Sequence, residues 1–160
     1  MTASTVFATV LNAALKELQA ASTPVFTFAF YHDHESHAVS VCVDTEENSF
    51  KRVLATNRYN NRYFQKAIAE GDLEAAGLWQ ANVGRNLSLG DFSLVNVART
   101  SLGTLKITKN FYLTMIRSVI SVQPQIAALS PRPERLLFAC SGADSEVAIV
   151  WSLHDDSKGG

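Results

Sequence analysis

Between Pro24 and Asn48 the chain runs through three contrasting segments: Val25 to Tyr31 (V-F-T-F-A-F-Y), His32 to His37 (H-D-H-E-S-H) and Ala38 to Asn48 (A-V-S-V-C-V-D-T-E-E-N). Strict alternation places Phe26, Phe28 and Phe30 on one face of the first run, and Val39, Val41 and Val43 on one face of the third. Side chains of a strand point alternately to its two sides, so this pattern predicts two half-buried strands joined by a polar turn, a β-hairpin. From Asp33 to Glu47 the full charges are all acidic, namely Asp33, Glu35, Asp44, Glu46 and Glu47. The expectation is an apolar sheet with a negative rim, which points toward a partner more than toward a reaction.

The 160 residues suit one domain that buries about 70% of the surface of its unfolded chain. Apolar residues at 47% and charged residues at 18% exclude a disordered chain. No apolar run reaches the roughly 18 residues of a membrane span. The N-terminus has no basic leader with an apolar stretch behind it, and Lys16 and Glu17 interrupt a helical pattern instead, so the expected location is the cytoplasm. Cys42 and Cys140 both sit in apolar strand-like runs, where cysteine acts as a small hydrophobe, and no disulfide is expected. A net charge of -1 argues against general nucleic-acid binding. That sum conceals a basic block, Lys51, Arg52, Arg58, Arg62 and Lys66, followed by acidic Glu70, Asp72 and Glu74, which reads as a solvated amphipathic helix.

Outward from the hairpin, Ser4 or Thr5 caps a first helix whose apolar residues Val6, Phe7, Val10, Leu11, Ala14, Leu15 and Leu18 recur at helical spacing, ending at Ser22 to Pro24. The segment from Ser49 to Glu70 is helical in part, with a break expected at the asparagines near Tyr59. Gly71 and Asp72 stop that helix and cap a short one through Leu73 to Leu78. Trp79 to Gly103 has no helical period and reads as an ordered loop with short extended pieces, pinned to the core by Trp79, Leu89, Phe92 and Leu94. A helix over Ile107 to Val122 turns Phe111, Met115, Ile116, Val119 and Ile120 inward. After the connector Ser130 to Pro133, the run R-L-L-F-A-C-S-G is apolar on both faces and so reads as a central strand. Asp144 or Ser145 then caps a terminal helix through Val147, Ile149, Val150 and Leu153. The predicted fold is α+β, one domain over 1–155 with a mixed or antiparallel sheet, an N-terminal hairpin and covering helices, ahead of a disordered tail over 156–160.

Few residues gather into chemistry. His32 and His34 share a strand face and could chelate, but a closed metal site needs a third or fourth ligand with outer support, and neither His154 nor Cys140 has a sequence reason to converge there. A-C-S-G-A around Ser141 lacks the outer glycines of a nucleophile elbow. Cys140 sits in apolar surroundings that raise a thiol pKa. The carboxylates look exposed, where acid and base roles are not driven apart. There is no phosphate-binding loop, and Gly84-Arg85-Asn86 is too short to cradle one. Arg58-Tyr59 and Arg62-Tyr63-Phe64 could stack on single-stranded nucleic acid, yet an apolar helix face flanked by cations explains them equally well. No metal, no cofactor and no catalytic residue is expected.

In their order along the chain, V-F-T-F-A-F-Y-H-D, D-T-E-E-N, L-W-Q-A-N-V-G-R-N-L-S-L-G-D-F-S and R-L-L-F-A-C-S-G-A-D-S-E resemble a bacterial domain family grouped with the immunity proteins of polymorphic toxins. Trp79 and Asp91-Phe92 match the family's tryptophan and aspartate-aromatic segment, with a longer spacing between them here. The resemblance implies a non-enzymatic protein that binds and occludes a cognate toxin in the cell that makes it, and carries over no catalytic residue. The residues assigned to that partner are Asp33, Glu35, Asp44, Glu46 and Glu47 of the acidic rim, together with Trp79 and Asp91. The alternative is a small enzyme or nucleotide-binding domain using the 79–103 loop and the 141–146 turn. A structural or regulatory interaction module with no toxin is a third reading.

Overall fold

The computed structural model describes residues 1–153, so the tail predicted over 156–160 lies outside the described residues. The elements are α1 (Ala3–Ala21), β1 (Thr27–Asp33), β2 (Ala38–Asp44), α2 (Glu46–Ala69), α3 (Leu73–Gly77), β3 (Leu94–Ser101), α4 (Phe111–Ala127), β4 (Leu137–Cys140) and β5 (Ile149–Ser152). The fold is α+β, and among the described residues five strands form one mixed sheet in the order β3-β2-β1-β4-β5. The hairpin forms, with Phe28 opposite Val43, Phe30 opposite Val41 and His32 opposite Val39, but its strands are buried on both faces rather than half-buried, because loop residues cover the second face. β4 joins the other edge of β1 in parallel, Phe28 beside Phe138 and Phe30 beside Cys140, and is central as its apolar faces require.

One face of the sheet carries the main core. Phe28, Phe30, Val39, Val41, Val43, Phe138 and Cys140 pack beneath α1 (Phe7, Leu11, Leu18) and α4 (Phe111, Met115, Val119, Ile126). Phe7 stands edge-on to both Phe30 and Phe111 at 5.4 Å between centroids, the arrangement that aromatic quadrupoles favour. The opposite face is lined by Ala29, Tyr31, Cys42 and Ala139 and is covered by Leu89, Phe92 and Val147 from loops rather than by a helix. Small side chains there let backbone segments lie close to the sheet.

Several expectations are corrected. Thr2, not Ser4 or Thr5, caps α1, its hydroxyl accepting from the Thr5 N–H. Phe26 precedes β1 and leaves the Phe28–Phe30 face, packing beneath the Arg85 guanidinium at 3.6 Å from its ring centroid. α2 is unbroken at its asparagines, because Asn57 and Asn60 turn their amides to the backbone of Asn82 and Gln80 instead of competing with the helix. The 79–103 segment holds a full strand, β3, whose rather polar sequence hid it at an exposed sheet edge. α4 begins at Phe111 and leaves Ile120 half in water. The predicted terminal helix is a strand: Ile149, Val150 and Trp151 pair antiparallel with β4, where β-branched and aromatic residues fit a pleated edge and Trp151 stacks on Phe138.

Candidate functional site

The acidic residues expected to form one rim lie at two ends of the sheet. β1 and β2 are seven-residue strands, so Asp33 and Glu35 at the turn stand about 20 Å from Asp44, Glu46 and Glu47 at the other end. Most are already occupied. Asp33 pairs with Arg99 at 2.7 Å, and that bond holds its carboxyl below the usual range. Asp44 is fully buried, and its Oδ1 accepts from the Thr45 and Ser93 N–H groups, the Asn48 amide and the Ser93 hydroxyl. It is therefore a clamp joining the end of β2, the start of α2 and the segment before β3, out of reach of any partner. Glu46 bridges Arg135 at 2.6 Å and Arg132 at 3.6 Å, Glu47 pairs with Lys51 along α2, and Asp91 stands 3.7 Å from Arg52. Of the seven expected contact residues, Glu35, Asp44 and Trp79 make no ion pair among the described residues, and Asp44 is held by neutral donors.

Trp79 belongs to a different surface. It does not pin its loop to the core but stacks on Tyr63 at 4.7 Å and meets Tyr59 edge-on at 6.2 Å, with the Arg62 guanidinium over the Tyr59 ring. These rings tie α3 and the loop after it to α2, which packs mainly against α3 and not against the sheet. α2 and α3 so form an arm, its longer helix about 36 Å from end to end. The inner stripe of α2, Ser49, Val53, Asn57, Asn60, Phe64 and Ala67, recurs at three and four residues and faces inward. At 100° per residue, Lys51, Arg58, Arg62 and Lys66 fall on the opposite, outward side, all of them exposed. Among the described residues Arg58, Arg62 and Lys66 have no carboxylate partner.

The arm leaves much apolar surface in water. Phe50 is 64% exposed, Leu73 79%, Leu78 78% and Val83 99%, and Leu54, Tyr59, Tyr63 and Ile68 are also open. On α2 they lie to either side of the cation ridge, Phe50, Leu54 and Ile68 on one side and Tyr59 and Tyr63 on the other. Between α2 and the loop after α3 lies a groove of about 430 Å³ lined by Asn57, Asn61, Phe64, Trp79, Gln80, Ala81 and Val83. The sequence carried a signal for this surface, since Phe50, Leu54 and Ile68 depart from the inner stripe in a helix otherwise rich in charge.

At the far end, the H-D-H-E-S-H turn folds its imidazoles together. His32 is 1% exposed, at the end of the core beside Phe111. Its Nδ1 is 3.0 Å from the Tyr112 hydroxyl and its Nε2 is 3.0 Å from His37 Nδ1, while His37 Nε2 is 2.6 Å from the Leu105 carbonyl oxygen. Burial first, then the neighbouring His34 and His37, lowers the His32 pKa to about 4. Among the described residues no group of three or more His, Cys, Asp and Glu could hold a metal ion. Ser141 is fully buried, its hydroxyl accepting from the His32 N–H and donating to the Glu146 carbonyl, both at 2.7 Å. That engagement leaves the hydroxyl no free approach to a substrate. Burial pushes the Cys140 thiol up to about 12, far from the thiolate that a nucleophile requires. Among the described residues no helix is long and apolar enough to cross a membrane.

No protein-family model, curated protein or solved structure matches the chain.

Proposed function

We propose that this protein is an interaction module that neutralises a cognate bacterial toxin by occluding it, inside the cell that makes both, with the α2–α3 arm as the docking surface. The observation that carries the docking surface is the arm's exposed apolar side chains flanking a ridge of cations without carboxylate partners. A standard interface concentrates its energy in a few aromatic and arginine anchors, the residue types that Tyr59 and Arg62 offer on the exposed side of α2. The charge favours a toxin surface with an acidic strip between apolar flanks. This reverses the sign expected from the hairpin carboxylates, because those near the start of α2 are neutralised within the fold. The toxin as partner comes from the sequence resemblance, whereas the location of the contact comes from the arm.

The test is co-expression with the product of the gene immediately upstream. Wild-type protein should rescue growth and co-elute with it, while Leu73→Asp together with Leu78→Asp should abolish both without changing the thermal midpoint. A neighbour that is harmless to the cell would end the toxin reading, and a complex unaffected by both aspartates would move the interface off the arm. The groove beside Trp79 is what a small-ligand reading would use, and saturable quenching of Trp79 fluorescence by a nucleotide would favour that reading instead.

A further inference from the structure

The histidine turn has a hydrogen-bond chain with a fixed direction, and the direction follows from its last member. A carbonyl oxygen can only accept, so the His37 nitrogen facing Leu105 carries the proton. Neutral His37 then has a bare Nδ1, which must accept from His32 Nε2–H, and neutral His32 has a bare Nδ1, which must accept from the Tyr112 hydroxyl. Every donor and acceptor in the chain Tyr112, His32, His37, Leu105 is matched once while both imidazoles are neutral. The chain fastens three separate pieces of backbone: the end of the β1–β2 hairpin, the 102–110 loop and the first turn of α4. The Leu102 N–H adds a bond to the His37 carbonyl, and Leu105 N–H one to Leu102.

We infer that this chain is a proton-sensitive latch, closed at neutral pH and opening the turn end of the fold in mild acid, in the 34–37 and 102–108 segments.

One added proton is held either on His32, buried against Phe111 at the N-terminal end of α4 where the helix field is positive and disfavours a cation, or on His37 bonded to it. It also reverses the Tyr112 hydroxyl from donor to acceptor. A second proton sets two N–H groups against each other across 3.0 Å. The charged groups around the chain do little to offset this. Asp33 favours a charged His32 but is held by Arg99 from β3, His34 adds a further imidazole bonded to the Gly142 carbonyl, and Asp144 of the β4–β5 turn acts on Tyr112. Glu146 offers its backbone carbonyl to Ser141 there.

The sign follows from linkage. His32 takes a proton near 4 when closed and near its ordinary 6.5 when open, so the open form binds more protons between those values. Closure is fully favoured above about 6.5 and is lost progressively as the pH falls toward 4. From pH 7.5 to pH 5 the opening constant should rise about thirtyfold.

The experiment is amide hydrogen exchange on the full chain at pH 7.5 and 5.0, each rate divided by its intrinsic rate. Leu102 and Leu105 should lose about thirtyfold in protection while Ala29 and Val41 in the central strands hold theirs. In His37→Asn, a residue that tolerates the left-handed backbone at this position (φ 48°), the same two amides should already be weakly protected at pH 7.5 and change less than about threefold on acidification. Protection independent of pH, an equal loss everywhere, or wild-type protection in the variant would each overturn the latch. If the variant does not fold, nitrogen-15 imidazole spectra of the wild type decide: bare Nδ1 on both His32 and His37 at pH 7.5 is required, and a proton on either refutes it.

Discussion

Asp44 offers the sharpest test of how the arm is attached to the sheet. Replacing it with alanine removes one oxygen, Oδ1, that four donors share. Two of these keep another partner, since the Asn48 amide also reaches the Asp91 carbonyl and the Ser93 hydroxyl also meets the Thr45 hydroxyl. The Thr45 and Ser93 backbone N–H groups are left without the acceptor they had; Thr45 is half-buried and Ser93 exposed, so each orphaned donor costs about 1–2 kcal/mol, the low end of the range, and Asp44→Ala should destabilise by about 2–4 kcal/mol. Asp44→Asn should behave differently. Its carbonyl oxygen can occupy the Oδ1 position, and its amide takes the place of Oδ2, which has no hydrogen-bond partner. The loss there should be about 1 kcal/mol, reflecting a neutral acceptor where a charged one stood. Urea unfolding followed by circular dichroism measures both. If Asp44→Asn costs as much as Asp44→Ala, negative charge rather than the four-donor bond set is what matters at this position. A loss below about 1 kcal/mol for alanine would show that α2 is held to the sheet by something other than this clamp.

Other outcomes follow from the same packing. Phe28→Ala should cost about 3–5 kcal/mol in the same assay, because its ring is fully enclosed between the sheet and the two helices, and a loss below about 1 kcal/mol would put the wrong face inside. Glu35→Lys with Glu46→Lys, which a single acidic rim would make decisive for association, should leave toxin association unchanged at low salt, since the two sites lie at opposite ends of the hairpin and Glu46 already bridges two arginines; a slowed, salt-sensitive association would restore the rim. Trp79→Ala should loosen the arm without unfolding the sheet, read as lost exchange protection at Ala76 and Leu78 with an unchanged protection of Val41.

The hairpin, the core faces of α1 and the central position of β4 were legible in the sequence, because each is a local pattern in which one periodicity dominates. Phe28, Phe30, Val39, Val41 and Val43 share the face that packs beneath the two helices, while the smaller Ala29 and Cys42 lie on the loop-covered face. The terminal segment was decided elsewhere. Val147 to Leu153 has apolar residues compatible with either period, and the open edge of β4 selected the strand by offering it a row of backbone donors and acceptors. β3 likewise exists because β2 presents an edge to it. Charge was the least legible property. Sequence showed five carboxylates close together, but strand length carried them to opposite ends of the sheet, and distant Arg99 and Arg135 paired with Asp33 and Glu46. Sequence composition thus fixed which residues must be buried, through free energies that depend on one side chain and its near neighbours. Only the tertiary structure decided which polar groups meet, because pairing across 66 or 89 residues depends on the path of the chain between them.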